Sequence, residues 1–362
     1  MRRALAIVLA GVLVALGLWW THRAAQRGKP SPPLPAPPPS ANAPVVPPSP
    51  APGRPVATPP VKPLPAPRSP TVVVRAAWGR GPGQLGRRAD PESVTEGPMS
   101  FFADGAGLTV LDNVNARLVR FDRQGRPLAT VALPGGEAAQ DVARVAADRT
   151  AVLDRLRAKN VLLLADDGRA LATAPLGGAG IDEPGGVTGV FADRAGRVYA
   201  EREHGAWLGL LDAGGAALPS RPALPGRPTR DGGYVSAALA DRAAGTVAVR
   251  RFGADGAPVW DTVVDFGAPL LFIALLDADA AGVVYVAVHT GHERSSAPYD
   301  IVDETLRIAA IDTDGRAHAA ELSLPAPPPR EEAFRDLSVG DDGTIYWMRR
   351  TPGGVVIEAY RW

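Results

Sequence analysis

Two histidines and three carboxylates lie within one short stretch of the chain. The stretch begins with His289, His292 and Glu293, and it continues to Asp300 and Asp303. Imidazole nitrogens and carboxylate oxygens are ligands that zinc and other divalent cations take in proteins. The histidines are not on a predicted helix, and a partner-binding loop or a solvated surface loop would have the same composition. A divalent metal site is therefore one hypothesis for these five residues, and no other cofactor is predicted.

Polar residues also recur where predicted β-strands end. The strand ends are acidic in the first three of six sequence repeats, and they carry Arg or His in the last three. A surface divided in this way could orient a polar partner, whereas the alternative is six solvated strand ends. The candidate binding residues are Asp112, Asn113, Asn115, Arg117, Asp154, Glu201, Arg250, His289 and Arg349.

Motifs for covalent or nucleotide chemistry do not accompany these residues. The chain has no cysteine, and therefore has no thiolate ligand and no cysteine nucleophile. The run from Gly81 to Gly86 matches G-x-G-x-x-G, but no segment of helical periodicity follows it, so a turn is expected. Asp312 begins an Asp-Thr-Asp-Gly run whose glycine is fourth instead of sixth, which predicts a hairpin turn and not a calcium loop. No catalytic residue is predicted, and a role other than catalysis is favoured.

A repeated hairpin pattern must position the candidate residues. In each repeat an apolar run enters a turn built on Asp and usually Gly, and a second β-rich run follows. The turns lie at Asp104, Asp148, Asp193, Asp241, Asp279 and Asp341, with spacings of 44, 45, 48, 38 and 62 residues. Asp-Gly turns between apolar runs predict hairpins, and four-stranded propeller blades repeat about every 40–45 residues. A β-sandwich would explain the strands but not the period. The prediction is an all-β, six-bladed β-propeller over residues 71–362.

The two ends of this domain are complementary. The sixth repeat ends after three predicted strands, so it lacks a fourth. Residues 71–78 form a spare strand at the other end of the domain. Pairing the spare strand with the last strand would close the ring and remove two exposed sheet edges. We therefore expect the propeller to be closed by its N-terminal strand.

The first repeat resembles the NHL family. It combines a Gly-rich lead-in, an Asp-Gly turn, an Asp-x-x-Asn-x-Arg loop and a second Asp-Gly hairpin. These features are Trp78-Gly79 with Gly81–Gln84, then Asp104, then Asp112, Asn115 and Arg117, then Phe121-Asp122 with Gly125. The match covers residues 78–133 and weakens afterwards, since the second repeat keeps only Asp154 and Asn160 of the loop. The resemblance implies a six-bladed propeller of the NHL and TolB-like type and implies little about activity.

The N-terminal part differs sharply from the rest in charge. Residues 1–70 hold eight Lys or Arg and no Asp or Glu, whereas the remainder holds 31 basic and 38 acidic residues. Residues 4–20 are apolar and would form a helix of about 26 Å, close to the roughly 30 Å of a bilayer core. Small residues at suitable cleavage positions are lacking, so an uncleaved signal anchor is favoured over a cleaved signal peptide. Residues 1–3 are then cytoplasmic.

A basic, proline-rich linker at residues 21–70 follows the predicted anchor. It contains 19 of the 38 prolines, all between residues 30 and 70. Such a sequence favours extended polyproline II and acts as a semi-rigid spacer. We therefore expect a single-pass protein of the cell inner membrane, with its propeller in the periplasm or outside the cell.

Three functions are consistent with this organisation. The favoured one is a membrane-tethered, exported propeller that binds a protein or a cell-envelope component. The alternatives are a metal-dependent propeller enzyme, such as a lactonase-like hydrolase or a quinone-dependent dehydrogenase, and a structural or assembly scaffold. The acidic balance of residues 71–362 excludes a nucleic-acid-binding domain, which needs clustered positive charge.

Overall fold

The computed structural model describes the part of the chain predicted to be the propeller. The predicted anchor, and the linker up to residue 69, lie outside the described residues. Within the described part, no helix is both long enough and apolar enough to cross a membrane. Its helical content consists of three short 3-10 turns at Asn113–Asn115, Gly136–Ala138 and Pro184–Gly186. The described residues are 70–89, 95–133, 135–295, 301–325 and 333–361.

Six antiparallel sheets of four strands follow one another along the chain. Each sheet is one blade, and its strands are numbered in chain order. Blade 1 consists of β2 (Ser100–Ala103), β3 (Leu108–Asp112), β4 (Arg117–Phe121) and β5 (Pro127–Ala132). Blade 2 consists of β6 (Asp141–Ala146), β7 (Arg149–Asp154), β8 (Asn160–Ala165) and β9 (Ala170–Pro175). Blade 3 consists of β10 (Val187–Ala192), β11 (Val198–Arg202), β12 (Ala206–Leu211) and β13 (Ala223–Leu224). Blade 4 consists of β14 (Arg227–Pro228), β15 (Tyr234–Asp241), β16 (Thr246–Phe252) and β17 (Pro258–Asp265). Blade 5 consists of β18 (Leu270–Ala278), β19 (Val284–Glu293), β20 (Ile301–Ile311) and β21 (Ala317–Pro325). Blade 6 consists of β22 (Leu337–Val339), β23 (Ile345–Thr351), β24 (Gly354–Tyr360) and β1 (Thr71–Ala77).

The blades are arranged in a ring around a central axis. The first strands β2, β6, β10 and β14 neighbour one another in that order, β18 neighbours β22, and β22 neighbours β2. Between blades 4 and 5, β15 lies next to β18. This order confirms the predicted six-bladed propeller.

The strand that comes first in the chain lies in the same sheet as the strands that come last. β1 pairs antiparallel with β24, and its Thr71 lies opposite Ala359 while its Ala77 lies opposite Gly354. The β4–β5 turn of blade 1 packs on the other side of β1. A side chain at Gly125 in that turn would meet the Val73 carbonyl oxygen at 1.8 Å, so only glycine fits there. β1 therefore contacts both blade 6 and blade 1.

Apolar side chains fill the spaces between neighbouring blades. Both faces of a blade pack against another blade, so its strands are apolar on both sides, and every residue of β3 is buried. Within the described residues, five apolar clusters each join two neighbouring blades. Representative members are Leu163 and Val190 between blades 2 and 3, Val249 and Val286 between 4 and 5, Ile308 and Trp347 between 5 and 6, Phe101 and Ile357 between 6 and 1, and Leu118 and Val142 between 1 and 2.

Five of the six predicted Asp turns form between the first and second strands of their blades, at Asp104, Asp148, Asp193, Asp279 and Asp341. In blade 3 the Asp193 carboxylate accepts hydrogen bonds from the backbone N–H of Ala195 at 3.0 Å and of Arg197 at 2.9 Å. Asp312 is bonded in the same way within the β20–β21 hairpin, so it forms the predicted hairpin turn. Asp side chains stabilise turns by accepting these nearby backbone donors.

Blade 4 corrects one prediction. Asp241 was expected to form the first turn of its blade, but the turn that contains Asp231 and Gly232 occupies that position, between β14 and β15. Asp241 instead ends the second strand. The first strand of this blade is only two residues long, and it pairs through Arg227 and Pro228. A strand of two residues has no period-2 pattern, so it could not be found from hydrophobic alternation.

The ring has two faces that differ in their loops. We call the first the hairpin face, because it carries the turns between strands one and two and between strands three and four of each blade. We call the other the connector face. It carries the loops between strands two and three and the segments that link successive blades.

Candidate binding faces and the central axis

The polar motif of blade 1 is held together by its own hydrogen bonds. The Asp112 carboxylate is fully buried at the end of β3. One oxygen accepts a hydrogen bond from the Gly86 N–H at 2.9 Å. The other accepts from Asn115 Nδ2 at 2.9 Å and from Arg117 Nε at 2.8 Å. The three side chains therefore form one bonded unit.

This unit also binds the segment that follows β1. Arg117 donates hydrogen bonds to the carbonyl oxygens of Arg80 and Gln84, each at 2.7 Å. Asn115 Nδ2 donates to the Gly79 carbonyl oxygen at 2.9 Å. We call Asp112, Asn115 and Arg117 the latch, because they fasten residues 79–86 to blade 1. The segment forms a turn with no helix, as predicted for its glycine pattern.

The neighbouring Asn113 does not take part in these bonds. Its side chain is buried, and its Oδ1 has no hydrogen-bond partner among the described residues. The three latch residues were predicted to bind a partner, but their polar atoms are bonded within the protein.

The acidic strand ends of blades 2 and 3 are likewise occupied. Asp154 accepts backbone hydrogen bonds from Leu156, Arg157 and Ala158 at 2.8–3.1 Å, which stabilises the loop after β7. Glu201 is buried, and its carboxylate lies 3.4 Å from Arg227 Nη2 of blade 4. Both carboxylates stabilise the ring.

The basic strand ends have different environments. Arg349 donates to Glu358 on the neighbouring strand at 3.1 Å and 3.2 Å, and its guanidinium lies over the Trp347 ring. Arg250 was expected at the end of a second strand, but it lies within β16, the third strand, where it is exposed and pairs with Asp261 at 3.3 Å. The cause is again the short first strand of blade 4. Arg250 is therefore not grouped with the other strand ends.

His289 is the candidate residue with an exposed apolar neighbour. Its imidazole is buried, and Nδ1 lies 2.8 Å from Glu304 Oε1 on the adjacent strand β20. Its other side is covered by Phe272 of β18, whose ring is stacked on the imidazole with a centroid separation of 4.4 Å. Phe272 itself is 50% exposed. His289 was identified from the sequence, but its neighbours Phe272 and Glu304 were not. They lie on other strands and meet His289 only through strand pairing.

The predicted five-ligand metal site is only partly described. His292 and Glu293 are exposed at the end of β19, while His289 is buried and paired with Glu304. Asp303 lies in β20 with a left-handed φ of 55°, and Asp300 lies outside the described residues. Among the residues that the structure describes, no three His, Asp or Glu side chains are grouped so that they could hold a metal ion. The metal site stays a prediction.

A chain of charged and aromatic side chains lies at the connector-face end of the central axis. Arg335 comes from the segment before β22 in blade 6, and it reaches the buried Asp141 of blade 2. Asp141 also accepts hydrogen bonds from Ser100 Oγ at 2.6 Å and from the Val190 N–H at 2.9 Å. The Phe191 ring of blade 3 lies beside the Arg335 guanidinium at 4.7 Å.

The same chain continues to blade 4. The Arg227 guanidinium lies 4.0 Å from the centroid of the Phe191 ring, and Arg227 also pairs with Glu201. Burial lowers the pKa of Arg227, and the adjacent Arg335 lowers it further, while Glu201 raises it. Two carboxylates and two guanidiniums thus surround one aromatic ring, with no net charge.

A third arginine lies at the hairpin-face end of the axis. Arg230 lies in the first turn of blade 4, and it donates to the carbonyl oxygens of Ala103 at 3.2 Å and of Ala278 at 3.3 Å. It also lies 3.3 Å from an Asp341 carboxylate oxygen of blade 6. Because Ala103 belongs to blade 1, Arg230 spans the ring. The axial arginines were not identified from the sequence. Arg230 bonds to Ala103, 127 residues away, and Arg335 bonds to Asp141, 194 residues away.

Exposed large apolar side chains fall into two groups. Phe272, Ile301 and Leu156 belong to segments of the connector face, whereas the others lie on the outermost strands β5, β9 and β17. Phe272 and Ile301 both belong to blade 5. We call Phe272, His289, Ile301 and Glu304 the blade-5 corner.

Several solved structures are similar to this chain. No family model and no curated protein matches the chain. The propeller is similar to Kuenenia stuttgartiensis hydrazine synthase, with 13% identity over 69% of this chain and 72% of that one and a TM-score of 0.46. It is also similar to the Neurospora crassa Pan2 WD40 domain, with 10% identity over 80% of this chain and 89% of that one and a TM-score of 0.44. Virginiamycin B lyase from Staphylococcus aureus gives 9% identity, coverage of 73% and 94%, and a TM-score of 0.37. At such identities the likeness concerns the fold alone.

Proposed function

We propose that this chain is an exported, membrane-tethered β-propeller that binds a protein or a cell-envelope component through the blade-5 corner. The observation that carries the proposal is the exposed Phe272 ring, stacked on the buried His289 at 4.4 Å. An aromatic side chain supported by a rigid neighbour is a typical energetic centre of an interface. The β19–β20 hairpin beside it is the longest in the described ring, and it adds exposed polar groups at His292 and Glu293.

The side chains that are bonded to one another along the axis support a role for the ring as a rigid scaffold for recognition. The arginines at the two ends of the axis are engaged with carboxylates and carbonyl oxygens of other blades. Side chains that are bonded to one another across the ring stiffen the scaffold and leave the faces for binding. A rigid scaffold that presents loops is a common arrangement for recognition.

Tethering and export are part of the same proposal and rest on the sequence. The apolar residues 4–20 would anchor the chain in the cell inner membrane with its N-terminus inside. The linker of residues 21–70 would then hold the propeller away from the membrane on the outer side. A partner of the cell envelope would be within its reach.

Site-specific photocrosslinking tests this proposal. A photoreactive benzoylphenylalanine would replace Phe272 in the full-length chain in its own membranes. The matched control carries the same group at Leu171, an exposed apolar residue on the outermost strand of blade 2. We expect a discrete adduct from position 272 and none from position 171. No adduct at position 272, or the same adducts from both positions, would contradict the proposal.

A metal-dependent enzyme is the second candidate, and the His289–Glu304 pair is the observation that favours it. A carboxylate that holds one imidazole nitrogen orients the ring for metal binding or proton transfer. Metal analysis of the full-length chain, with melting in zinc or calcium against chelator, separates the candidates. A metal at about 100 times its dissociation constant adds about 2.7 kcal/mol of stability. Stoichiometric metal with such a shift would favour the enzyme.

A scaffold is the third candidate, and a loop deletion distinguishes it from a binding module. Replacing residues 291–304 by a two-residue turn removes the tip of the blade-5 hairpin. Partner binding should weaken if the corner is the contact. It should persist if the propeller serves only as a spacer.

We further propose that β1 and the latch close the ring, and that the propeller belongs to the NHL and TolB-like type. The pairing of β1 with β24 and the bonds from the latch to residues 79–86 support the closure. They also give the Asp-x-x-Asn-x-Arg loop of the first repeat a physical role, because its polar groups join the lead-in segment to the blade.

A further inference from the structure

A pocket of about 300 Å³ lies on the hairpin face between blades 4 and 5, opposite the face proposed above. Blade 4 contributes the turns that contain Asp231 and Gly253, and blade 5 contributes Gly282 and Thr313 from its two turns. This volume is at the lower end of the range for small-molecule sites, which is about 300–1,000 Å³. The pocket is therefore suited to a small ligand.

Glycines keep the pocket free of side chains. A Cβ at Gly233 would lie 2.5 Å from the Phe252 carbonyl oxygen and 2.7 Å from Arg251 Nη2. A Cβ at Gly282 would lie 2.9 Å from an Asp231 carboxylate oxygen. Larger residues at these positions would displace the polar groups of the pocket.

The polar part of the pocket is a fixed ion pair. Arg251 is almost fully buried, pairs with Asp231 and donates to Thr229 Oγ1 at 2.7 Å. Thr229 in turn donates to Asp231 at 2.7 Å. Burial opposes ionisation of Asp231, but hydrogen bonds from Thr229 and Arg251 outweigh it and lower the pKa of the carboxyl. The pair has no net charge, and the Asp231 side chain remains 30% exposed to accept further hydrogen bonds.

The apolar part of the pocket is the indole of Trp260. This ring packs against the apolar cluster between blades 4 and 5. The Gly315 turn presses on it so closely that a Cβ there would lie 2.9 Å from Trp260 Cγ. Val259, which is exposed, extends the apolar wall at the rim. The indole is thereby held in a fixed orientation.

We infer that this pocket binds a neutral saccharide, with a sugar ring against Trp260 and hydroxyl groups hydrogen-bonded to Asp231. A sugar ring has an apolar face of C–H groups, which suits an aromatic wall, and a rim of hydroxyls, which suits a carboxylate acceptor. The Asp231–Arg251 pair has no net charge, so it gives no net attraction to an anion or to a cation. A neutral ligand that is rich in hydroxyls needs no charged partner and can still donate to Asp231.

Calorimetry on the full-length chain tests this inference. The protein is kept in a zwitterionic detergent, because detergents with sugar headgroups would compete. The probes are cellobiose, maltose and N,N′-diacetylchitobiose, with glucose 6-phosphate and glucosamine as charged comparisons. We expect at least one neutral disaccharide to bind with a dissociation constant on the order of 1 mM, and the charged sugars to bind at least about tenfold more weakly.

Four substitutions locate the site. Trp260→Ala should weaken binding about tenfold or more, whereas Trp260→Phe keeps an aromatic wall and should stay within about threefold of the unmodified chain. Asp231→Asn tests the acceptor without loss of size and should weaken binding about tenfold. Val263→Ala, on the same strand but outside the pocket lining, should change nothing.

Three results would overturn the inference: no binding of any neutral disaccharide, tighter binding of a charged sugar, or binding that survives Trp260→Ala. If Trp260→Ala fails to fold, Asp231→Asn still decides, because it keeps the size of the side chain at the pocket, and unchanged binding by that variant would overturn the inference. Saturation-transfer NMR adds a second readout, in which protein contact should be strongest at the sugar ring C–H protons. The inference concerns the hairpin face, so the crosslinking result at Phe272 does not bear on it.

Discussion

The latch of blade 1 and the blade-5 corner lie on the same face of the ring and use their polar groups in opposite ways. In the latch, Asp112 is fully buried and its carboxylate is bonded to Gly86, Asn115 and Arg117. In the corner, His289 is also buried and paired, but the ring stacked on it is half exposed. Charge density alone therefore does not distinguish a structural joint from a binding surface. The exposure of the apolar neighbour distinguishes the two regions.

The contrast has a physical cause. A buried carboxylate is stable only when its lone pairs are satisfied, so a bonded motif such as the latch has no acceptor left for a partner. An exposed aromatic ring loses nothing when a partner covers it, and it gains the free energy of apolar burial. The latch should thus control stability, and the corner should control binding.

Removing β1 tests the proposed closure of the ring and should have the largest effect on stability. Chains that begin at residue 71 and at residue 78 differ only in this strand. Without it β24 keeps β23 but loses its other neighbouring strand, and Val74 is missing from the core between blades 6 and 1. We expect the shorter chain to lose cooperative unfolding, since the loss is comparable with a total stability of about 5–15 kcal/mol. Equal urea midpoints for the two chains would show that β1 does not close the ring.

Asp112→Ala tests the latch itself. It leaves Arg117 without its carboxylate in a nearly buried position, so we expect a loss of about 3–5 kcal/mol in the free energy of unfolding. Urea denaturation measures this loss. Asp167→Ala, at an exposed carboxylate of blade 2, serves as the control and should cost under about 0.5 kcal/mol. If both variants behave alike, the latch has no special role in stability.

Phe272→Asp tests the corner. The substitution should leave the melting temperature almost unchanged, because the ring is half exposed. Partner affinity should fall by about 2 kcal/mol, or roughly thirtyfold, as for a central interface residue. The affinity of the crosslinked partner for the purified variant measures this. A variant that binds normally but unfolds early would reverse the assignment of the two regions.

The smallest expected effect concerns the ion pairs of Asp166. This carboxylate is partly exposed, whereas Asp112 of the latch is fully buried. Asp166 accepts hydrogen bonds from Arg120 at 2.5 Å and from Arg144 at 2.9 Å. Partial burial opposes its ionisation, but the two arginines outweigh this and lower the pKa of the carboxyl.

The folded chain therefore holds fewer protons on Asp166 than the unfolded chain does. The stabilisation is present above the ordinary carboxyl pKa near 3.9, about the unfolded value, and is lost as the pH falls through the lowered pKa. Asp166→Asn should flatten the acid side of the stability profile, with an effect of under about 1 kcal/mol at neutral pH. Urea midpoints measured from neutral to acid pH check this. An unchanged profile would show that the exposed pairs contribute nothing.

The fold was largely predictable because its signals are local. The first turns of blades 1, 3 and 5 bond an Asp carboxylate to donors within four residues, and the apolar runs beside these turns form the strands. Blade 4 was the exception, since β14 has two residues and its turn at Asp231 resembles an ordinary loop. The position of Arg250 was wrong for the same reason.

The chemistry of the site was less predictable because its partners are distant in sequence. Asp112 bonds to Gly86, 26 residues earlier, and Arg335 bonds to Asp141, 194 residues away. Asp112 and Asp154 lie at strand ends as the sequence predicted, but the sequence could not show that both are bonded internally. Glu304 was missed although it lies 15 residues from His289, because a bulge in the hairpin shifts the register between them.

Cysteine labelling tests whether the propeller is exported and whether a partner covers the blade-5 corner. The natural chain has no cysteine, so each variant reports from one position. Single-cysteine variants at Phe272 and Leu171 would react with a membrane-impermeant maleimide in spheroplasts and after purification. We expect both positions to react from outside in spheroplasts. Position 272 should react more slowly there than in the purified protein, and position 171 should react equally fast in both. Equal rates in the two states at position 272, or no labelling from outside at either position, would contradict an exported propeller that binds its partner through the blade-5 corner.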